Sequence, residues 1–183
     1  SVNPMVVNLD RIAELNQYLM LFFTGVVRTA DKIAKSYTVG IEKKSKHLRS
    51  MGKMVGEAIA ILNSTVSIDD FGKLLHESWS EKKKLSQIVS NAYVDEIYSV
   101  ARKAGALGGK LCGAGGGGFM LLFVPPEKQP AIKEILRKLV YVPFNFEYDG
   151  SQIMYSDKQK RYIEEENVRN NKSFTSYVDL KEL

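Results

Sequence analysis

Cysteine is nearly absent from this chain of 183 residues: Cys112 stands alone, which excludes an internal disulfide and any zinc site built on cysteine pairs. The two histidines, His47 and His76, lie far apart and show no ligand spacing, so no histidine-based metal centre is expected either. Long apolar runs are missing too. No stretch approaches the roughly 18 residues needed to span a bilayer, and no secretory leader opens the sequence. The start, Ser1-Val2-Asn3-Pro4 without Met, reads as one cut from a longer chain. What is present is ordinary for a globular protein: 44% hydrophobic and 26% charged residues. One buried domain with an appended tail is expected at this length, and a lone reduced thiol fits a cytoplasmic setting.

Charge is in modest surplus, +5 from 26 basic and 21 acidic residues. Nucleic acid, an acidic membrane or a small phosphorylated molecule could each answer such a balance. The densest basic groups are Lys43, Lys44, Lys46 and Arg49, followed by Lys82, Lys83 and Lys84. They fall in or beside predicted helices, where a solvated face accounts for them and a phosphate contact from Lys82 or Lys83 is the sharper alternative.

Periodicity gives a coarse map. Asn8 caps a short helix to Tyr18, and the apolar run Leu19 to Phe23, stopped by Thr24-Gly25, reads as a buried strand. A helix from about Arg28 to Tyr37 is expected next. Lys46 to Leu62 places Leu48, Met51, Met54, Val55, Ala58 and Leu62 on one helical face. Ser67 to about Gln87 opens with a capping box from Ser67 to Asp70 and buries Phe71, Leu74, Leu75, Trp79 and Leu85. Asn91 to Ala104 buries Val94, Ile97, Val100 and Ala101, and Gly105 stops it in the left-handed region.

The period then shortens. Gly109 to Cys112 and Phe119 to Val124 read as strands on either side of a glycine loop. Glu127 to Leu139 is amphipathic, with Ala131, Ile132, Ile135, Leu136 and Leu139 inward; Val142 to Tyr148 alternates as a strand, Asp149-Gly150 turns, and Gln152 to Tyr155 could return. Residues 1–155 are therefore expected as the domain, and residues 156–183, charged and poor in apolar side chains, as a loosely docked tail.

The loop itself is Gly113-Ala114-Gly115-Gly116-Gly117-Gly118, five glycines in six positions. Each glycine forfeits backbone entropy on folding, so such a cluster implies repeated positive φ or close approach to bare backbone, and successive amides can form an anion nest. Gly113, Gly115 and Gly118 satisfy the letters of a dinucleotide fingerprint, but an apolar strand follows where that motif requires a helix. A Walker A loop needs Lys where Phe119 stands, and an RNA-binding aromatic platform needs rings where Gly117 and Leu122 stand. A ligand-free linker between two strands is the remaining plain reading.

Lys110 to Gly118, Lys-x-x-Gly-Ala-Gly-Gly-Gly-Gly before an apolar strand, resembles the third motif of the GHMP kinases. Leu21 to Ala30, a strand then Thr24-Gly25-x-x-Arg28, and Glu77 to Lys83 are similar to segments of the heptose-phosphate kinase branch of that family. The resemblance runs from about Val2 to Tyr155 and implies an α+β fold: a small antiparallel sheet in a split β-α-β, ferredoxin-like arrangement, backed by several helices. It also implies ATP-dependent phosphorylation of a sugar phosphate, a heptose 7-phosphate at its anomeric hydroxyl. The substrate-binding residues it points to are Thr24, Gly25, Arg28, Gly113, Ala114, Gly115, Gly116, Gly117 and Gly118, with no catalytic residue and no metal ligand in this chain. ATP and Mg²⁺ would be held mainly by an N-terminal kinase domain, because the family's Pro-x-x-x-Gly-Leu-Gly-Ser-Ser-type phosphate loop is not in the sequence. The expected partners are a sugar phosphate and that domain, with neither nucleic acid nor membrane. A free-standing ligand-binding or regulatory domain without catalysis is the alternative. Arg28 and Lys110 could each act on a phosphate or simply be solvated; Cys112 and Trp79 read as interior residues.

Overall fold

The computed structural model describes residues 6–27, 33–36, 40–147 and 150–153. The chain divides into a unit of Ser1–Phe146, which holds all the described helices and strands, and a unit of Glu147–Leu183. Arg28, most of the helix expected around it, and the expected tail of residues 156–183 lie outside the described residues.

The first unit runs α1 (Leu9–Tyr18), β1 (Leu19–Phe23), α2 (Ile41–Leu62), α3 (Asp69–Lys83) and α4 (Ala92–Lys103). Then come β2 (Gly108–Leu111), β3 (Phe119–Phe123), a 3-10 turn (Pro126–Lys128), α5 (Gln129–Ile135) and β4 (Val140–Val142). The four strands form an antiparallel sheet in the order β2-β3-β1-β4. Each crossover, β1 to β2 and β3 to β4, skips one strand, which is the split β-α-β arrangement of an α+β fold.

β1 lies between β3 and β4, where Leu21 pairs with Leu121 and Val142, and it can be apolar throughout because both of its faces are at least partly buried. Met20, Phe22, Met120 and Leu122 share one face and are buried with Trp79, Val94, Ile97, Ala101, Ile132 and Leu136. Phe123 packs in a second cluster with Leu15, Leu62 and Ile68. Two glycines set the seat of α3. A Cβ on Gly108 would lie 1.9 Å from the Gly72 carbonyl oxygen, so α3 rests on the backbone of β2 itself.

The helix ends follow their caps. The Asn8 carboxamide oxygen accepts from the Asp10 amide and that of Asn91 from the Val94 amide; Gly105, at φ 110, ends α4. The capping box before α3 does not form: the Ser67 hydroxyl accepts from the Asp69 amide in a short turn, while Asp70 pairs with Lys73.

Four further expectations are corrected. Of the apolar face on α2, only Leu62 is buried; Leu48 is 41% and Val55 60% exposed, because α3 covers one flank of the helix and leaves the other open. The inward stripe of the helix after β3 also breaks, since α5 ends at Ile135, which is 48% exposed. The strand expected over Val142 to Tyr148 stops at Val142, where Pro143 has no amide to extend the ladder. Residues 152 and 153 are not in a strand.

Gly52 and Gly56 sit on the open side of α2, where an added Cβ would have nothing within 4 Å. Alanine at either should stabilise the chain by about 0.4–1 kcal/mol, read as a rise in urea midpoint at unchanged slope.

α3 and α4 are joined by His76 and Tyr98, whose rings stack at 5.9 Å with the imidazole Nδ1 2.7 Å from the phenol oxygen. Burial, then the charge of Arg102, hold the His76 pKa below its ordinary value, and burial pushes Tyr98 up to about 12. A neutral imidazole accepting from the phenol fits both shifts. A depressed folded pKa on a base means that its stabilising effect is complete above the unfolded value near 6.5 and is lost as pH falls through the folded value. Lowering the pH from about 7.5 to about 5.5 should therefore reduce Tm more in the wild-type chain than in His76→Gln.

Candidate functional site

The glycine loop closes the β2–β3 hairpin, where the Cys112 amide donates to the Phe119 carbonyl at 2.8 Å. Gly113, Gly115, Gly116 and Gly118 have φ of 73, 117, 76 and 95°, conformations that an L side chain strains. Gly117 is needed for space instead, since its Cβ would stand 2.4 Å from the Val26 carbonyl oxygen. At Gly115 both reasons apply, the Val89 carbonyl oxygen lying 2.7 Å from where a Cβ would be.

Two distant backbone stretches hold the loop. The Gly118 amide donates to the Val26 carbonyl at 2.7 Å and the Gly116 amide to the Val89 carbonyl at 2.8 Å. Thr24, only 2% exposed, donates its amide at 2.9 Å and its hydroxyl at 2.8 Å to the Gly118 carbonyl. Asn91 adds a fourth tie: its amide nitrogen donates to the Gly116 carbonyl at 3.0 Å while its oxygen caps α4. Of the residues singled out in the sequence, Thr24, Gly25 and Gly113 to Gly118 thus come together, and Arg28 lies outside the described residues. Val89 and Asn91 carry no loop signal in the sequence; Asn91 reads only as a helix start. Asn91→Ala removes both of its bonds and should cost about 1–2 kcal/mol, whereas Asn91→Asp, which keeps the cap acceptor, should lose less; urea melts compare the two.

The loop's outer rim is cationic. Lys82, from the last turn of α3, donates to the Gly113 carbonyl at 2.7 Å. Burial first, then the charge of Lys110 on β2, push its pKa down. Burial pushes the Cys112 thiol up, against the pull of Lys110 and Lys82, so the thiol stays protonated and a poor nucleophile at neutral pH. Lys83 turns away to Asp95 at 3.1 Å, and Glu81 lies between Lys84 at 2.5 Å and His47 at 2.6 Å, contacts that hold its carboxyl below the usual range. Among the described residues no group of three or more His, Cys, Asp or Glu could hold a metal ion. This surface can bind and orient an anion through ammonium and amide groups, but the groups gathered at it offer no activated nucleophile.

Residues 63–142 match the family described as GHMP kinases C terminal. Over 140 residues the chain is 37% identical to the D-glycero-alpha-D-manno-heptose 7-phosphate kinase of Campylobacter jejuni, covering 75% of this chain and 41% of that protein. The crystal structure of mevalonate kinase from Methanococcus jannaschii superposes with a TM-score of 0.60 at 22% identity, over 78% of this chain and 42% of that one. That of a D-glycero-D-manno-heptose 1-phosphate kinase from Bacteroides thetaiotaomicron gives 0.51 at 24% identity, over 80% and 38%. These two likenesses show the fold. In each of the three the chain spans less than half the length of its relative. No helix among the described residues is long and apolar enough to cross a membrane.

Proposed function

The chain belongs to the GHMP kinases as a C-terminal domain of that family, and we propose that it forms the substrate-side wall of an ATP-dependent kinase acting on a sugar phosphate. The acceptor favoured is a heptose 7-phosphate, phosphorylated at its anomeric hydroxyl, by analogy with the relative that shares 37% identity. One observation carries the reading: the matched segment contains a hairpin loop tied to two distant stretches of chain, residues 24–26 and 89–91, with lysines at its open rim. Phosphoryl transfer asks little covalent chemistry of a protein and much positioning and charge neutralisation. A loop fixed by the Val26, Val89, Thr24 and Asn91 contacts costs no reorganisation when charge develops beside it.

ATP, when bound, supplies the phosphoryl group. The loop offers it a bare-backbone wall, and Mg²⁺ and most nucleotide contacts are assigned, as the family resemblance implies, to an N-terminal kinase domain. The loop and Lys82 hold the acceptor, orient its hydroxyl and keep water from its place, while the proton of that hydroxyl leaves to a base outside this chain. This reading expects no ATP-dependent phosphorylation from the purified 183-residue chain. Joined to its native upstream segment, the chain should consume ATP with a heptose 7-phosphate. Robust turnover by the isolated chain, or none by the joined protein across a panel of sugar phosphates, would overturn it.

A further inference from the structure

Four lysines, three at the end of α3 and one on β2, fall into two kinds. Lys83 is paired with Asp95 and Lys84 with Glu81. Lys82 and Lys110 have no carboxylate partner among the described residues; the one hydrogen bond of Lys82 runs to the Gly113 carbonyl, leaving two ammonium protons to place. The two sit close enough for the charge of Lys110 to depress Lys82, with Lys82 partly withdrawn from water. Two uncompensated like charges are costly to hold together, and an anion between them removes that cost. The backbone beside them is suited to the same guest. Among the described residues no protein acceptor meets the amides of Gly113 and Gly117, and Gly113 is exposed with the space beside it open to 4 Å.

We propose that Lys82, Lys110 and the Gly113 rim of the loop form a subsite for a terminal phosphate group in its dianionic form. A phosphate there accepts from two ammonium groups and the loop's amides, contacts shorter and stronger than neutral ones. Under the kinase reading, on which this part rests, two guests share that chemistry: the phosphate the acceptor already carries and a phosphate of the nucleotide. The acceptor's is the expected occupant, which makes Lys82 a specificity residue separating a sugar phosphate from a free sugar.

The first arm of the test does not need the kinase reading. Inorganic phosphate is titrated into the 183-residue chain, and the amide resonances of Gly113 and Gly117 are followed by NMR. They should shift saturably, with Kd weakened at least about tenfold in Lys82→Met and in Lys110→Met and unchanged in Lys84→Met. Absence of shifts at these glycines, or shifts equal in wild type and in the doubly substituted Lys82→Met/Lys110→Met chain, overturns the subsite. In the second arm, Lys82→Met in the joined protein should raise KM for the sugar phosphate at least about tenfold, with KM for ATP little changed. A rise confined to ATP overturns the acceptor assignment in favour of the nucleotide. Phosphate binding in the first arm without any turnover in the second retains the subsite and rejects the kinase.

Discussion

Alanine at Gly108 is expected to destabilise the chain by about 3 kcal/mol or more, lowering Tm by roughly 6–12 °C. The added methyl would stand 1.9 Å from the Gly72 carbonyl oxygen and 2.9 Å from the His76 amide nitrogen, both on the backbone of α3. No rotamer change relieves a clash with backbone; α3 must lift off β2, and Trp79 and Leu74 lift with it. Gly72 allows no compensating shift, because Phe123 and Leu107 already crowd it. Gly40→Ala is the control: φ there is 66° and the space is empty, so backbone strain alone of about 1 kcal/mol should appear. Equal melting of the two variants would show that α3 accommodates a wider seat.

The second large effect is on catalysis. In the joined protein, Gly117→Ala should lower kcat/KM at least about tenfold, roughly 1.4 kcal/mol of transition-state stabilisation. The test belongs at Gly117 rather than Gly116, whose φ of 76° would mix strain with function in any variant. A Cβ at Gly117 meets the Val26 carbonyl oxygen at 2.4 Å, the same oxygen that receives the Gly118 amide, so the tie between the segment after β1 and the loop must open. Gly115→Ala should act likewise through Val89, with strain at φ 117° added, and Gly40→Ala, strained by its φ of 66° alone at the start of α2, should leave kcat/KM near wild type. Loss of Tm at Gly115 and Gly117 with unchanged kcat/KM would make the loop a linker between strands and nothing more.

These two results depend on contacts of different visibility in the sequence. The density of glycine at Gly113 to Gly118 is legible because it is local: five glycines in six positions have few explanations. The Gly72–Gly108 contact is not, since each residue alone is an unremarked glycine in a helix or strand and the reason exists only where the two meet. β1, α1 and α4 are readable for the same local reason, an uninterrupted apolar run or a capped apolar period. Alternation misleads at Val142 to Tyr148, because hydrophobic period two persists after Pro143 has ended the ladder. Periodicity misleads on α2 as well, whose stripe promises burial on both flanks while α3 covers one. Among Lys82, Lys83 and Lys84 the sequence shows three equal charges. Their different fates follow from a helical turn of about 100° per residue, which sends them to Gly113, Asp95 and Glu81 in turn. Resemblance and glycine density point to the candidate site residues; the Thr24, Asn91 and Val89 ties that hold the loop are tertiary facts.

The central place of β1 also has a bearing on how the chain comes off the ribosome. Leu19 pairs with Phe123 and Phe23 with Val140, so β1 has neither of its sheet partners until roughly a hundred further residues have been synthesised. A sequence separation of roughly a hundred residues is entropically slow to close, and helices α2 to α4 are free to form long before it does. During that interval Leu19-Met20-Leu21-Phe22-Phe23, uncharged and without proline, waits with both edges bare, the composition most prone to pair with a neighbouring nascent chain.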